Sequence, residues 1–110
     1  MAQEKKEFIC ICPDKPGVVD KRIEVRPLHL EGMKPLVETG EVVLGGAMFD
    51  HHPQEGESVP AFSGSMLLVR AENTDAVKQI IKNDIYTRSG VWDEERVQII
   101  PFKSAVRVGM

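Results

Sequence analysis

His29 is the side chain best suited, by type and surroundings, to move a proton. It lies in Arg22-Ile23-Glu24-Val25-Arg26-Pro27-Leu28-His29-Leu30, on the apolar side of a predicted helix and one and two turns beyond a pair of arginines. Imidazole has the ordinary pKa closest to neutrality, so a histidine in a pocket between helix and sheet serves as general acid or base once a partner orients it. Asp84 is the partner that spacing picks out: four residues after Ile80 and seven after Val77, it falls on the inward side of a second helix at its C-terminal end. There the helix dipole disfavours a negative charge by roughly 0.3–1 kcal/mol, so a carboxylate kept at that position implies a compensating donor. The plainer alternatives are a core histidine satisfied by backbone or carboxylate groups, and an exposed aspartate in a turn.

Three further polar residues fit the same pocket. Arg22 and Arg26 fall near one helical line and suit a carboxylate or phenolate oxygen of a ligand, or a salt bridge to Glu24 and its neighbours. Ser65 shares one side of a predicted strand with Ser63, and Gly64 between them either opens a pocket or lets another element approach closely. Neither serine sits in a nucleophile-elbow motif. Asp50-His51-His52 resembles metal chemistry, but consecutive residues in an extended loop point apart and no further ligand is placed to complete a site, so a solvated loop is the reading and neither metal nor cofactor is expected. Cys10 and Cys12 point to one face of a strand, which suits buried free thiols rather than a disulfide.

The elements that must position these residues are legible from apolar runs and breakers. Residues 6–12 read as a strand ended by Pro13-Asp14-Lys15-Pro16-Gly17. Helical spacing runs over 18–37, with Pro27 dividing it, an inward face of His29, Met33, Leu36 and Val37, and Gly40 as the stop. Residues 41–48 and 62–71 read as strands around a loop at 50–61. Asn73 or Thr74 caps a helix with a Val77, Ile80, Ile81 stripe, a turn-rich stretch covers 84–92, and a last strand runs over about 96–102 before a frayed tail. The order is β-α-β-β-α-β: an α+β, ferredoxin-like antiparallel sheet with two helices on one face, in one domain spanning 1–110 with an ordered core over about 6–103.

Phe8-Ile9-Cys10-Ile11-Cys12 and Met66-Leu67-Leu68-Val69 are apolar on both strand faces, and helices on one side leave the other face to be covered. A second copy is the simplest cover, so a homodimer is expected, alone or as the unit of a higher assembly. A net charge of −3 with both signs interspersed leaves no footprint for nucleic acid. No apolar run suits a membrane span, and the polar opening residues suit no secretory signal, so a cytoplasmic protein is expected.

Asp14-Lys15-Pro16-Gly17, Lys21-Arg22, Arg26-Pro27-Leu28-His29-Leu30, Gly40, Gly45-Gly46, Phe62-Ser63-Gly64-Ser65, Asp84-Ile85-Tyr86, Gly90-Val91 and Ile100-Pro101-Phe102-Lys103, in this order, resemble the YciI-like (YCII-related domain) family. The resemblance implies a dimeric α/β barrel similar to muconolactone isomerase and an active site around a histidine and an aspartate, here His29 and Asp84. Some relatives are dehydrochlorinases of chlorinated hydroxyquinols. Asn83-Asp84-Ile85-Tyr86 departs from the Asp-Pro-Tyr of many relatives and changes how the carboxylate is aimed. Asp50-His51-His52 is not required by the family pattern and leaves specificity open. Two functions stay in view: a cofactor-independent lyase or isomerase, or dehydrochlorinase-like enzyme, in which His29 and Asp84 transfer protons and Arg22, Arg26 and Ser65 orient a small cyclic or aromatic substrate, and a non-catalytic metabolite-binding or stress-response module using the same pocket.

Overall fold

The computed structural model describes residues 5–109. Strand β1 (Lys6–Pro13) leads to helix α1 (Val19–Thr39), then β2 (Val42–Phe49), β3 (Phe62–Ala71), α2 (Thr74–Asn83), a one-turn α3 (Ile85–Arg88), a 3-10 turn (Glu94–Arg96) and β4 (Gln98–Phe102). The four strands form one antiparallel sheet in the order β2-β3-β1-β4. This is the predicted order of elements and the predicted α+β class.

Alternation along β1 decides which face is the core. Phe8, Cys10 and Cys12 are buried and their neighbours half-buried, and with Leu67 and Val69 of β3 they pack against Val25 and Met33 of α1, Val77 and Ile81 of α2, and Tyr86, Val91 and Trp92. Asn73 caps α2 by accepting the Ala76 N–H at 2.9 Å, and Gly40 ends α1 in the left-handed region at φ 82°. At Gly64 a Cβ would overlap the Cys12 carbonyl oxygen, so this glycine serves strand-to-strand approach rather than an open pocket.

Four details differ from the sequence expectation. Helix α1 is continuous through Pro27 and Pro35. Both prolines are exposed, where water can satisfy the carbonyls they leave without a donor, and packing on the other side offsets their helix penalty. Its inward line is Arg22, Val25, His29, Met33 and Leu36, whereas Val37 is 57% exposed. Residues 94–96 wind into the 3-10 turn, so β4 starts at Gln98. The segment after Lys103 is tied back rather than frayed: the Glu7 carboxylate accepts from Ser104 N at 2.5 Å and Ser104 Oγ at 2.6 Å, and faces Arg107 at 3.3 Å.

The other face of the sheet is apolar and, among the described residues, carries no helix. In register across β1, β3 and β4, Ile9 stands beside Leu68 and Ile100, and Ile11 beside Met66. Leu44 joins them opposite Leu68, and Leu44, Ile100 and Phe102 are 49%, 41% and 41% exposed.

Candidate functional site

At the end of the sheet where β1 meets Asp14, α1 passes over the turn between α2 and α3. His29 projects from the inward line of α1, and its Nδ1 lies 2.8 Å and 2.9 Å from the two carboxylate oxygens of Asp84. Asp84 closes α2 and opens α3, and its Oδ1 also accepts the Tyr86 backbone N–H at 2.9 Å. The donors that offset its unfavourable place after α2 are therefore the first turn of α3 and the imidazole. The Asp84 side chain is 3% exposed and that of His29 11%, so the carboxylate is sealed while an edge of the ring is reachable.

Nε2 of His29 has no hydrogen-bond partner among the described residues, and no partnerless buried side-chain nitrogen or oxygen occurs among them. This nitrogen is therefore not fully buried. A ring with its Nδ1–H held by a carboxylate carries its lone pair on Nε2, the form a general base requires.

Aromatic neighbours fix the ring from its faces. Tyr86 stacks on His29 with centroids 4.1 Å apart and planes 19° apart, and Trp92 meets the imidazole edge-on at 5.8 Å. The Tyr86 hydroxyl likewise has no partner among the described residues. Burial raises its pKa above the ordinary phenol value, against the opposing charges of Arg22 and Arg26.

Arg22 and Ser65 are brought to this site, but buried and engaged with one another. Arg22 Nη1 donates to both Asp14 oxygens at 2.8 Å and 2.9 Å, and Nη2 donates to Ser65 Oγ at 2.8 Å. Ser65 Oγ also accepts from Trp92 Nε1 at 3.2 Å. The guanidinium carbon stands 4.9 Å from the ring centres of both Phe62 and Tyr86. Burial raises the Asp14 carboxyl above its ordinary value, and the charge and hydrogen bonds of Arg22 oppose the shift. Arg26, one turn on, is exposed and leaves the cluster on its solvent side.

Sequence reasoning missed Asp14, Tyr86 and Trp92. Asp14 lies in the breaker cluster after β1, and its meeting with Arg22, eight residues on, depends on how the turn into α1 folds. The convergence of the two aromatics depends on the short α3 turn, which leaves no pattern in the sequence. His51 and His52 lie away from the site: His51 Nε2 pairs with Glu57 at 3.1 Å inside its own loop. Among the described residues no three His, Cys, Asp or Glu side chains gather in a metal-binding group, and no helix is long and apolar enough to cross a membrane.

A sequence profile of the YCII-related domain matches residues 7–103. The chain is 42% identical over 104 residues to fusaric acid biosynthesis protein 2 of Gibberella moniliformis, covering 94% of this chain and 99% of the relative. It is 29% identical over 99 residues to protein YciI of Escherichia coli O6:H1, covering 87% and 95%. Among solved structures it is similar to the 5-chloro-2-hydroxyhydroquinone dehydrochlorinase of Burkholderia phenoliruptrix AC1100 in complex with 2,5-dihydroxybenzoquinone. That likeness has a TM-score of 0.73 and 25% identity, over 88% of this chain and 93% of the other.

Proposed function

The chain belongs to the YCII-related domain family, and on that premise we propose that it is a cofactor-independent enzyme of small cyclic or aromatic molecules in which His29 moves a proton. The observation that carries this reading is the asymmetry of the imidazole: Nδ1 faces both oxygens of a sealed carboxylate, while Nε2 has no partner among the described residues and is not fully buried. Nε2 takes a proton from an acidic C–H or O–H of the substrate, and Asp84 stabilises the imidazolium. The proton is then returned at another atom of the ring, an isomerisation, or a leaving group departs as its anion and the proton passes to water, an elimination. Fusaric acid biosynthesis and dehydrochlorination, named for the relatives, are both small-molecule chemistry and support this class.

In this reading Arg22 and Ser65 act from within the wall, fixing Tyr86 and Trp92 against the imidazole. Arg26 and the Tyr86 hydroxyl, which have the freer polar groups, meet the substrate's oxygens. The test is solvent exchange. With 2,5-dihydroxybenzoquinone and hydroxylated cyclic ketones as probes in D2O, the protein accelerates deuterium uptake at an acidic ring carbon, and His29→Gln loses about 10²–10⁴ of that acceleration. Unchanged exchange in His29→Gln sinks the assignment. Probe binding without exchange, surviving Asp84→Asn, favours the non-catalytic metabolite-binding module.

The uncovered sheet face supports a homodimer as the working unit. Ile9, Ile11, Leu44, Met66, Leu68 and Ile100 form a continuous apolar surface, and a stable protein interface of about 1,200–2,000 Å² in total is within reach of a four-stranded sheet. Light scattering at micromolar concentration should give twice the chain mass, and the double variant Leu44→Lys/Ile100→Lys should halve it. A monomer mass for the unaltered protein excludes this assembly.

A further inference from the structure

At the end of the sheet opposite His29, a cleft of ≈ 620 Å³ is lined by Lys5, Lys6, Arg70, Lys103 and Arg107, with Phe102 and Pro101 among its apolar wall. It begins where β1 begins, and β1 runs from there to Pro13 beside Asp14, so about seven residue steps at 3.3 Å each separate it from the His29 end. Five of the fourteen lysines and arginines of an otherwise acidic chain gather here.

The tail builds one wall. Glu7, the only acidic residue among the described lining residues, spends its carboxylate on Ser104 N, Ser104 Oγ and Arg107, which folds the segment after β4 back over the start of β1. Among the described residues Lys5, Lys6, Arg70 and Lys103 form no salt bridge, so one carboxylate stands against five cations. Like charges held around a concave surface raise the local potential and concentrate anions there. Phe102, 41% exposed at the same place, pairs with Glu7 at the outer end of the open sheet face, two residues beyond the Ile100 of the proposed dimer surface, and offers a ring face that charge alone does not need.

We propose that this cleft is a second binding site, distinct from the His29–Asp84 pair, for a small organic polyanion: two or more phosphate or carboxylate charges joined to a flat apolar group. Its volume falls in the range of about 300–1,000 Å³ typical of small-molecule sites. The cations hold the charged end and Phe102 stacks on the flat one.

The test is calorimetric titration with adenosine diphosphate and, separately, inorganic pyrophosphate at low salt. Adenosine diphosphate binds the tighter of the two, and Phe102→Ala removes that difference while leaving pyrophosphate binding in place. The double variant Lys6→Glu/Lys103→Glu, both exposed positions, weakens both probes about tenfold or more, as reversal of two nearby charges requires. His29→Gln changes neither affinity, which separates failure of this site from failure of the proposed chemistry. Equal affinity in the lysine double variant overturns the proposal, as does equal binding of adenosine diphosphate, pyrophosphate and sulfate. A halved solution mass in that variant also overturns it, because the cations then face a second copy.

Discussion

Replacing Asp84 by asparagine should move one proton across the His29 ring. In the native site Oδ1 of Asp84 accepts the Tyr86 N–H at 2.9 Å, while both oxygens face Nδ1 of His29 at 2.8 Å and 2.9 Å. An asparagine has one carbonyl and one amide NH2. The Tyr86 N–H can be met only by the carbonyl, so the NH2 takes the place of Oδ2 and presents its hydrogens to Nδ1. An Nδ1–H would meet that NH2 donor to donor and keep only the carbonyl oxygen it shares with the Tyr86 N–H. Nδ1 then becomes the acceptor, the ring proton goes to Nε2, and the lone pair that faced the open side is lost.

The consequences can be sized. Where a carboxylate fixes the tautomer of a catalytic imidazole, its isosteric amide costs about 10⁴ in turnover, so a fall of about 10²–10⁴ in proton exchange is expected. A hydrogen bond to a charged group is worth about 1.5–3 kcal/mol and a neutral one about 1, so stability should drop by about 0.5–2 kcal/mol. For a domain of this size that lowers Tm by about 2–16 °C. The decisive readout needs no substrate: long-range 1H–15N correlation in alkaline buffer assigns the proton to Nδ1 in the native protein and to Nε2 in the variant. A native ring protonated on Nε2, or a variant that keeps its proton on Nδ1, refutes the reasoning.

Other perturbations test the frame around the site. Asp14→Ala leaves the buried Arg22 charge without its counter-ion and should cost about 3–5 kcal/mol in urea unfolding, with Asp14→Ala/Arg22→Met recovering most of the loss; equal stability of single and double variants would contradict a buried pair. Burial pushes the Cys10 thiol up to about 11 and Cys12 higher still, so a disulfide reagent at mildly alkaline pH should label them only as fast as the protein unfolds. Bonds from the Ser104 hydroxyl and N–H hold the Glu7 carboxyl below its ordinary 4.5, so this tie favours the folded tail above that value and is lost as pH falls through the depressed one. The Ser104 amide resonance should shift in that acid window and stay fixed in Glu7→Gln.

Much of the fold was legible because it is written locally. Breaker clusters bound each apolar run, Asn73 caps α2 as its side chain predicts, and Gly40 stops α1 in a conformation that glycine adopts without strain. Pro27 misled for the same local reason. A proline inside a helix costs about 3 kcal/mol, and only tertiary packing along Arg22, Val25, His29 and Met33 shows why α1 persists. Asp84 was legible through helical period alone, since its inward direction follows from Val77 and Ile80. Asp14 was not, because its partner depends on how the turn after β1 folds back under α1, which no periodicity records. Tyr86 and Trp92 needed α3, a single turn too short to leave a pattern.

The contacts around His29 form a connected set, and that bears on whether the ring is core or chemistry. Asp14 holds Arg22, Arg22 holds Ser65, Ser65 accepts from Trp92, and Trp92 and Tyr86 both touch the imidazole that Asp84 anchors. Every buried polar side-chain atom among the described residues is satisfied within such contacts. A histidine serving only the core would be expected to close both nitrogens in the same way, because a buried unpaired acceptor costs about 1–3 kcal/mol. Here a carboxylate, a stacked ring and an edge contact orient one imidazole, and Nε2 is left without a partner among the described residues. Orientation fixed in advance lowers the entropic part of a proton-transfer barrier, and it gives nothing to a residue whose open nitrogen meets only water. In the proposed reading His29 is a proton carrier, and the surrounding aromatic and ionic contacts are what keep the ring aimed.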